Sequence, residues 1–427
     1  MKSFQKNTRS DKERAVVVAG IFPQNKYIDE DPLDEIKRLT EAAGGRVVGE
    51  AYQKFRKARS GTFFGKGKLQ EIRTIAESVD AGLIVCDNDL TPTQGNSIEE
   101  VVGLRVVDRT ELILDIFASR AKTRQARLQV ELAQLEYALP RLKRMWTHLE
   151  RLEGAIGTRG PGEQQLEVDR RLIRRKIYEY KQKLIEIEKR KKQESASRND
   201  VYRISLVGYT NAGKSTLLNA MTDSHEYTED KLFATLDSCT RRLKTDFSVP
   251  IVISDTVGFI RNLPHNLVAS FHATLQEVID ADLLLHVVDG SAHNYSVEVD
   301  TVNAVLREIG ADKKDTLIVF NKKDRITDSV LSSVLVREYP GSYFISAKTG
   351  QGVSKLVKHL IKRVEATMEI RDVSLHAGNG RAVSYIEQKA EVLERTIEEE
   401  TLHYRIRIRP RDMVFLKNVM DKYALKT

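Results

Sequence analysis

Cysteine is almost absent from this chain. Cys86 and Cys239 are the only two in 427 residues, and they lack CxxC spacing. That excludes a cysteine-ligated zinc site and a disulfide framework, leaving two packed thiols in a reducing compartment. Tryptophan occurs once, and the nine histidines show no metal-ligand spacing. His148, beside Trp146, and His286, in an apolar stretch, read as packing residues. Long apolar runs are also missing. Near the start the longest is Ala15 to Ile21, which follows a charged leader without a cleavage pattern and is too short to cross a bilayer. The expectation is a cytoplasmic, monomeric protein with no membrane insertion.

Charge is what the chain has in quantity. Charged residues make up 30% and hydrophobic residues 41%, and the formal net charge is +8. The excess is local. Residues 120–198 carry 21 Lys+Arg against 11 Asp+Glu, a net of +10, so the other 348 residues sum to −2. A solvated helical face usually carries balanced charge, whereas a concentrated basic excess is the footprint of a polyanion partner.

The pattern divides into four sections, and no internal repeat is visible. Residues 1–120 alternate apolar runs (Ala15–Ala19, Leu83–Cys86, Leu104–Val107) with helical stretches (Asp34–Ala43, Lys68–Val79), which predicts an N-terminal α/β domain with a mostly parallel sheet. Residues 121–200 change character. Leu128, Leu132, Leu135, Leu139, Leu142, Trp146 and Leu149 form one helical stripe, and Ile173, Ile177, Tyr180, Leu184 and Ile187 form a second. Between them, Gly154 to Gly162 cannot continue a helix, so the section reads as a long antiparallel hairpin with a glycine-rich tip. Pro140 is expected to kink the first arm. The polar run Lys189 to Asp200 reads as a linker. Residues 201–368 alternate strand and helix again, with strands at Val201–Val207, Ile251–Ser254, Leu283–Val288 and Leu317–Phe320. Residues 369–427 read as a small α/β appendage, a helix over Val383–Glu399 followed by a strand over Leu402–Arg409. The fold class is α/β throughout, apart from the hairpin.

The third section carries the chemistry. Its first strand runs into Gly208-Tyr209-Thr210-Asn211-Ala212-Gly213-Lys214-Ser215 and then a helical stretch. This is the phosphate-binding loop GxxxxGK[ST] in the strand–loop–helix setting that it needs. The glycines let backbone N–H groups converge on phosphate oxygens, and the helix N-terminus adds positive potential. Lys214 is placed to reach the β- and γ-phosphates, and Ser215 to ligate Mg²⁺. The base is read at Asn321-Lys322-Lys323-Asp324. A carboxylate at Asp324 accepts from two guanine N–H groups, and adenine offers no such pair. Asn321 would bond the base edge and brace the phosphate loop, and the Lys322 stem would cover the base. In Ser346-Ala347-Lys348, a backbone N–H would meet the guanine O6. Asp255-Thr256-Val257-Gly258 supplies a carboxylate that holds Mg²⁺ through water and a Gly258 N–H for the γ-phosphate. Within Phe233-Ala234-Thr235-Leu236-Asp237, Thr235 is the candidate second hydroxyl on Mg²⁺, with Thr228 and Thr240 nearby as alternatives. Loss of the γ-phosphate would release both segments. The expected catalytic set is Lys214, Thr235, Gly258 and Asn211, with Ser215 and Thr235 on the metal.

One part is missing. Many GTPases place a glutamine after the DxxG glycine to orient the attacking water. Here that position is Phe259, which cannot polarise water, so slow intrinsic hydrolysis is expected.

Together these motifs resemble the translation-factor-related GTPases. Gly61 to Lys68 (GTFFGKGK), Val107 to Thr110 (VDRT), Leu114 to Phe117 (LDIF), Leu128 to Leu135 (LQVELAQL), Arg159 to Glu163 (RGPGE) and Asp169 to Leu172 (DRRL) resemble the HflX family. So do the loops at Gly208–Ser215, Phe233–Asp237 and Asp255–Ile260. The resemblance implies a bacterial-type cytoplasmic GTPase that binds the large ribosomal subunit and splits stalled or idle ribosomes under stress, with the hairpin tip approaching the peptidyl-transferase rRNA. Some members are reported to bind ATP through the N-terminal region. Related GTPases with a hydrophobic residue after DxxG use an asparagine in the phosphate loop to help hold K⁺, which implicates Asn211. Pro140 and Gln164 depart from the family pattern. The rival readings are an ATPase or nucleotide kinase, opposed by Asn321 to Asp324, and a GTPase of ribosome assembly or RNA modification. The cluster Gly65-Lys66-Gly67-Lys68 lacks phosphate-loop spacing and reads as a structural turn.

Overall fold

A computed structural model describes residues 12–23, 31–54, 56, 61–142, 161–196, 201–222, 232–233, 239–245, 250–261, 272–326 and 329–424. The first sheet is built from β1 (Arg14–Ile21), β2 (Arg46–Lys54), β3 (Leu83–Cys86) and β4 (Arg105–Asp108), ordered β2-β1-β3-β4 and parallel throughout. Parallel strands are covered on both faces, which is why β1 and β3 are continuous apolar runs. Alternate residues sort to the two sides. Val16, Val18, Ile84 and Val106 meet α2 (Lys66–Ser78) and α3 (Pro92–Val102). Ala15, Val17, Val85 and Val107 meet α1 (Asp34–Ala42) and α4 (Arg109–Arg120). The start of α3 is fixed by a capping box between Thr91 and Gln94, and α4 is capped by Asp108.

The helical section does not stand apart from this sheet. Helix α5 (Arg124–Ala138) sends Ala126, Val130 and Ala133 into the same core as Ile113 and Phe117. Of the leucine stripe, Leu132 and Leu142 are buried, and Leu128, Leu135 and Leu139 are half-buried. At Pro140 the helix tightens into a 3₁₀ turn, Leu139–Arg141, where the missing N–H is tolerated. Helix α6 (Pro161–Ala196) is 36 residues long. Its less exposed positions include Ile173, Ile177, Tyr180, Leu184 and Ile187, the stripe expected from the spacing, and Lys181 pairs with Glu136 of α5 at 2.8 Å. The tip from Gly154 to Gly160 lies outside the described residues, as do Trp146 and His148. Pro161 and Gly162 already belong to the first turn of α6, where proline is favoured. The expected linker is corrected. Lys189 to Ala196 continues α6, because Lys, Arg, Gln, Glu and Ala propagate a helix and no glycine or proline interrupts them.

The second sheet has six strands, β5 (Tyr202–Val207), β6 (Cys239–Arg242), β7 (Ile251–Asp255), β8 (Leu283–Asp289), β9 (Thr316–Asn321) and β10 (Tyr343–Phe344), ordered β10-β9-β8-β5-β7-β6. Only β6 runs antiparallel to its neighbour. Helices α7 (Lys214–Thr222), α8 (His272–Ile279), α9 (Tyr295–Glu308), α10 (Ser329–Glu338) and α11 (Val353–Ala366) accompany the sheet.

The third sheet is antiparallel, ordered β11-β13-β12, from β11 (Glu369–His376), β12 (Glu391–Glu398) and β13 (Thr401–Ile408), with α12 (Gly380–Lys389) and α13 (Pro410–Ala424). Here the predicted helix over Val383–Glu399 is corrected. It ends at Lys389, and Glu391–Glu398 is an edge strand. The segment EVLERTIE favours helix by composition, but pairing with β13 overrides that preference.

Candidate nucleotide site

In open α/β sheets, ligands bind beyond the carboxyl ends of the strands. The sequence motifs meet at that edge. Strand β5 ends one residue before Gly208, β7 ends on Asp255 and β9 ends on Asn321. Gly213 has φ +91°, and a Cβ there would lie 2.2 Å from Asn321 Nδ2, so only glycine lets the phosphate loop lie against the Asn321 side chain. Asn321 uses that closeness. Its Nδ2 donates to the Ala212 carbonyl at 2.9 Å, and its Oδ1 accepts from the Ala347 N–H at 2.9 Å. One buried side chain thus ties its own motif to two others, 109 and 26 residues away in the sequence. Asp324 is exposed, and a hydrogen bond from Ser346 holds its carboxyl below the usual range. Lys322 has φ +61° and pairs with Asp289 at 2.7 Å. Lys323 and Lys348 are exposed.

Lys214 is buried, and its Nζ donates to the carbonyls of Gly208 and Tyr209 at 3.1 and 2.9 Å. Burial lowers its pKa to about 8. His286 lies in β8, and burial, reinforced by the Lys214 charge, lowers it to about 4, so it is neutral and packs as expected. The Ser215 hydroxyl donates to Asp255 Oδ2 at 2.5 Å. Gly258 touches both sides of the loop, since a Cβ there would lie 2.8 Å from Thr210 Cα and 3.0 Å from Lys214 Nζ. Asn211 has φ +61°, a conformation that asparagine tolerates better than most residues.

Other predicted residues point elsewhere. Thr256 donates its hydroxyl to the Leu206 carbonyl at 2.6 Å, inside the sheet. Val257 is buried in the core shared with the first sheet. Phe233 has φ +56°, and its ring meets Phe117 edge-on at 4.7 Å in that same core. Ala234, Thr235, Leu236 and Asp237 lie outside the described residues, as does Thr228.

A second set of residues closes over the loop, of which Tyr209 and Arg109 alone fall in motifs singled out in the sequence. The Tyr209 hydroxyl donates to Glu35 of α1 and accepts the Arg261 N–H at 2.9 Å. Glu35 also takes Arg261 Nε at 2.9 Å and pairs with Arg109, which pairs in turn with Asp87 and donates to the Arg261 carbonyl at 2.8 Å. Burial pushes the Glu35 carboxyl up, but Arg109 and Arg261 outweigh it and hold it charged. Beside this cluster, a cavity of about 550 Å³ is lined by Asp34 and Arg38 of α1 together with Asn211, Leu232, Asp289 and Lys322.

Comparison with known proteins decides the class. Residues 30–118 match the family described as GTP-binding GTPase N-terminal, 120–198 the GTP-binding GTPase middle region, and 203–322 the 50S ribosome-binding GTPase. The GTPase HflX of Caldanaerobacter subterraneus is 40% identical over 400 residues, covering 93% of this chain and 91% of its own. That of Escherichia coli K12 is 43% identical over 392 residues, covering 91% of each.

The chain belongs to the HflX family of GTPases.

It is therefore a GTP-hydrolysing enzyme with a P-loop GTPase domain and an N-terminal α/β region. A solved structure of SsGBP with GDP is also similar, at 25% identity over 82% of this chain and 98% of its own, but the superposition is loose at a TM-score of 0.45. An HflX GTPase implies Mg²⁺ with its nucleotide, and the residues fit. A hydroxyl and a carboxylate face one another at Ser215 and Asp255, both hard oxygen donors. No group of three or more His, Cys, Asp or Glu side chains among the described residues could hold a metal unaided, so phosphate oxygens would complete the shell. No helix among the described residues is long and apolar enough to cross a membrane. Neither Cys86 nor Cys239 is in a disulfide. Gly65 is the N-cap of α2, with Lys68 paired to Glu71 at 2.7 Å, which makes the basic cluster a helix start.

Proposed function

We propose that this HflX-family chain is a GTP-operated switch that binds the large ribosomal subunit and splits stalled or idle ribosomes under stress, acting as a cytoplasmic monomer with its helical section against rRNA. The observation that carries this reading is one continuous core. It holds Ala126, Val130 and Ala133 of α5, Phe117 of α4, and Phe233, Val257 and Ile260 from the two segments expected to respond to the γ-phosphate. Movement of those segments would be felt directly by the helical section. Along α6, Arg171, Arg174, Arg175, Lys176, Lys181 and Lys183 are exposed and suit a phosphate backbone. The 36-residue helix is about 54 Å long at 1.5 Å per residue, enough to reach into a subunit. The matched family's description as a 50S ribosome-binding GTPase points the same way.

In this reading the phosphates lie along residues 208–215, with Lys214 at the β- and γ-phosphates and Gly258 N–H on the γ-phosphate. Asp324 reads guanine, Lys322 covers it and Ala347 N–H meets its O6. Ser215 and Thr235 would hold Mg²⁺, and Asp255 would hold it through water. The bound ion would neutralise charge on the phosphates. Asn211 would hold an accessory K⁺. The working division is 1–120, 121–200, 201–368 and 369–427.

Sedimentation tests the reading. With a non-hydrolysable GTP analogue the protein should travel with the large subunit, and with GDP it should bind more weakly, with binding weakening steeply as salt rises. Replacing Gly154 to Gly162 by a short linker should abolish splitting while basal hydrolysis continues. Binding to neither subunit in any nucleotide state would sink the proposal. Binding to assembly precursors alone would convert it to an assembly GTPase.

A further inference from the structure

Phe259 leaves open which group places the attacking water. Its ring is fully buried among Val207, Leu275, Val278 and Leu284, turned into the sheet core and away from the phosphate loop. The backbone at that position is clipped to the loop instead, with the Thr210 N–H donating to the Phe259 carbonyl at 2.8 Å and the Phe259 N–H donating to the Gly208 carbonyl at 3.1 Å. A glutamine side chain there would normally reach over Gly258 toward the γ-phosphate. Among the described residues, the side chain closest to where a Gly258 Cβ would stand belongs to Thr210. Its Cγ2 and the Lys214 Nζ both converge on Gly258, at 2.8 and 3.0 Å from where a Cβ would stand. The residue is 6% exposed, and its hydroxyl has no hydrogen-bond partner among the described residues.

A buried hydroxyl without a partner is uncommon, and at a catalytic edge it asks for a ligand. We propose that Thr210 is a catalytic residue of this GTPase, its hydroxyl holding the attacking water over Gly258 in place of the absent glutamine. Threonine has three staggered χ1 positions, and one 120° step carries the hydroxyl to the methyl's place while the methyl moves to that of the Cβ hydrogen. That step brings the oxygen to the point the methyl now occupies, between Gly258 and Lys214. There it accepts a hydrogen bond from water and turns the water's lone pair toward the γ-phosphorus. The water oxygen bonds to that phosphorus as the bond to the β–γ bridging oxygen breaks. The water's proton passes to a γ-phosphate oxygen, and GDP and inorganic phosphate leave. The threonine itself exchanges no proton, which suits a hydroxyl that is a poor base. The inference rests on the γ-phosphate lying at Lys214 and Gly258, as proposed above.

Single-turnover hydrolysis of GTP by the full chain, in the Thr210→Val and Thr210→Ser variants, is the test. Valine keeps the shape and removes the oxygen, and its rate should fall about 100-fold, the scale for losing one placed polar group. Affinity for GDP and for a non-hydrolysable GTP analogue should stay within about twofold, because the hydroxyl touches water and not the nucleotide. Serine should retain the wild-type rate within a few fold. A valine variant as fast as wild type would overturn the proposal. So would a serine variant as slow as valine, since a hydroxyl at this position would then not suffice, and so would a loss of analogue affinity equal to the loss of rate. Failure of the underlying site reading would show separately, as unchanged base preference in Asp324→Asn.

Discussion

The phosphate loop has two neighbours built in opposite ways. On one side, β9 and the segment after β10 supply Asn321, Asp324 and Ala347 from short motifs of fixed spacing, joined by neutral hydrogen bonds of ordinary length. On the other, the N-terminal region supplies Glu35, Asp87 and Arg109, scattered over 75 residues, which meet Tyr209 and Arg261 in a buried ionic cluster. In the function proposed above, the first contact concerns what the nucleotide is. The second concerns where the start of the Asp255–Gly258 segment's continuation is held, since Arg261 is bonded through its N–H, its carbonyl and its guanidinium. The cluster balances two arginines against two carboxylates, so removing one member leaves a charge stranded away from water.

The largest effect should therefore come from the ionic side. Glu35→Gln leaves Arg109 and Arg261 short of a counter-charge and should destabilise the nucleotide-free protein by about 3 to 5 kcal/mol. Urea unfolding measures it, and a loss under about 1 kcal/mol would mean that water reaches the cluster and screens it. Guanine preference should survive this change. The reciprocal experiment is Asp324→Asn, which should weaken GTP binding roughly 30- to 150-fold, or about 2 to 3 kcal/mol, and admit xanthosine triphosphate, with stability little altered. Competition between the two nucleotides reads this directly, and unchanged GTP affinity would refute the base assignment. If both variants lost stability and guanine preference alike, the two neighbours would be one cooperative unit and the contrast would fail.

Smaller effects sharpen the comparison at the loop itself. If Asn211 holds K⁺, hydrolysis should run several-fold faster in K⁺ than in Na⁺ at equal ionic strength, and Asn211→Ala should erase the difference. Equal rates in the two salts would leave the left-handed backbone as the reason for asparagine at this position. Lys214 makes the last prediction. Its pKa in the empty site is lowered to about 8 by burial, and bound phosphate favours the charged form. Below pH 8 the lysine is already protonated and affinity should not depend on it. Above pH 8 binding must take up a proton, so GDP affinity should fall as pH rises, by up to about tenfold per unit. For the same reason the empty protein gains stability from this group between about pH 8 and its unfolded value of 10.5, because there the unfolded chain binds more protons. Titration of a fluorescent GDP analogue from pH 7 to 9 gives the slope, and a flat line would show that Lys214 stays charged in the empty site.

What could be read in advance follows the range of the forces involved. Parallel strands announce themselves as apolar runs, and α6 by its stripe at three- and four-residue spacing. The strand at Glu391–Glu398 could not be seen, because its three glutamates, arginine and leucine favour helix and only pairing with β13 decides otherwise. Nor could the second face of α5. Ala126, Val130 and Ala133 are small residues beside a louder leucine stripe, and nothing local says that they will enter the core of the first sheet.

The sequence by itself determined the phosphate loop, the guanine motif and the absence of a water-orienting glutamine. Each is a local pattern in which backbone geometry, side-chain reach and ligand chemistry operate within a few residues. It also determined the charge of the helical section, since net charge does not depend on folding. Only the tertiary structure decided that Tyr209 turns its hydroxyl to Glu35, that Phe233 seats in the core with Phe117, and that the Thr210 hydroxyl is buried with no partner among the described residues. Those facts depend on how two sheets meet. A carboxylate at position 35 and an arginine at position 261 are 226 residues apart, and no spacing rule links them. They become one site because the packing of the two regions removes water from both, and a buried charge must then find its counter-charge wherever the fold brings one within reach.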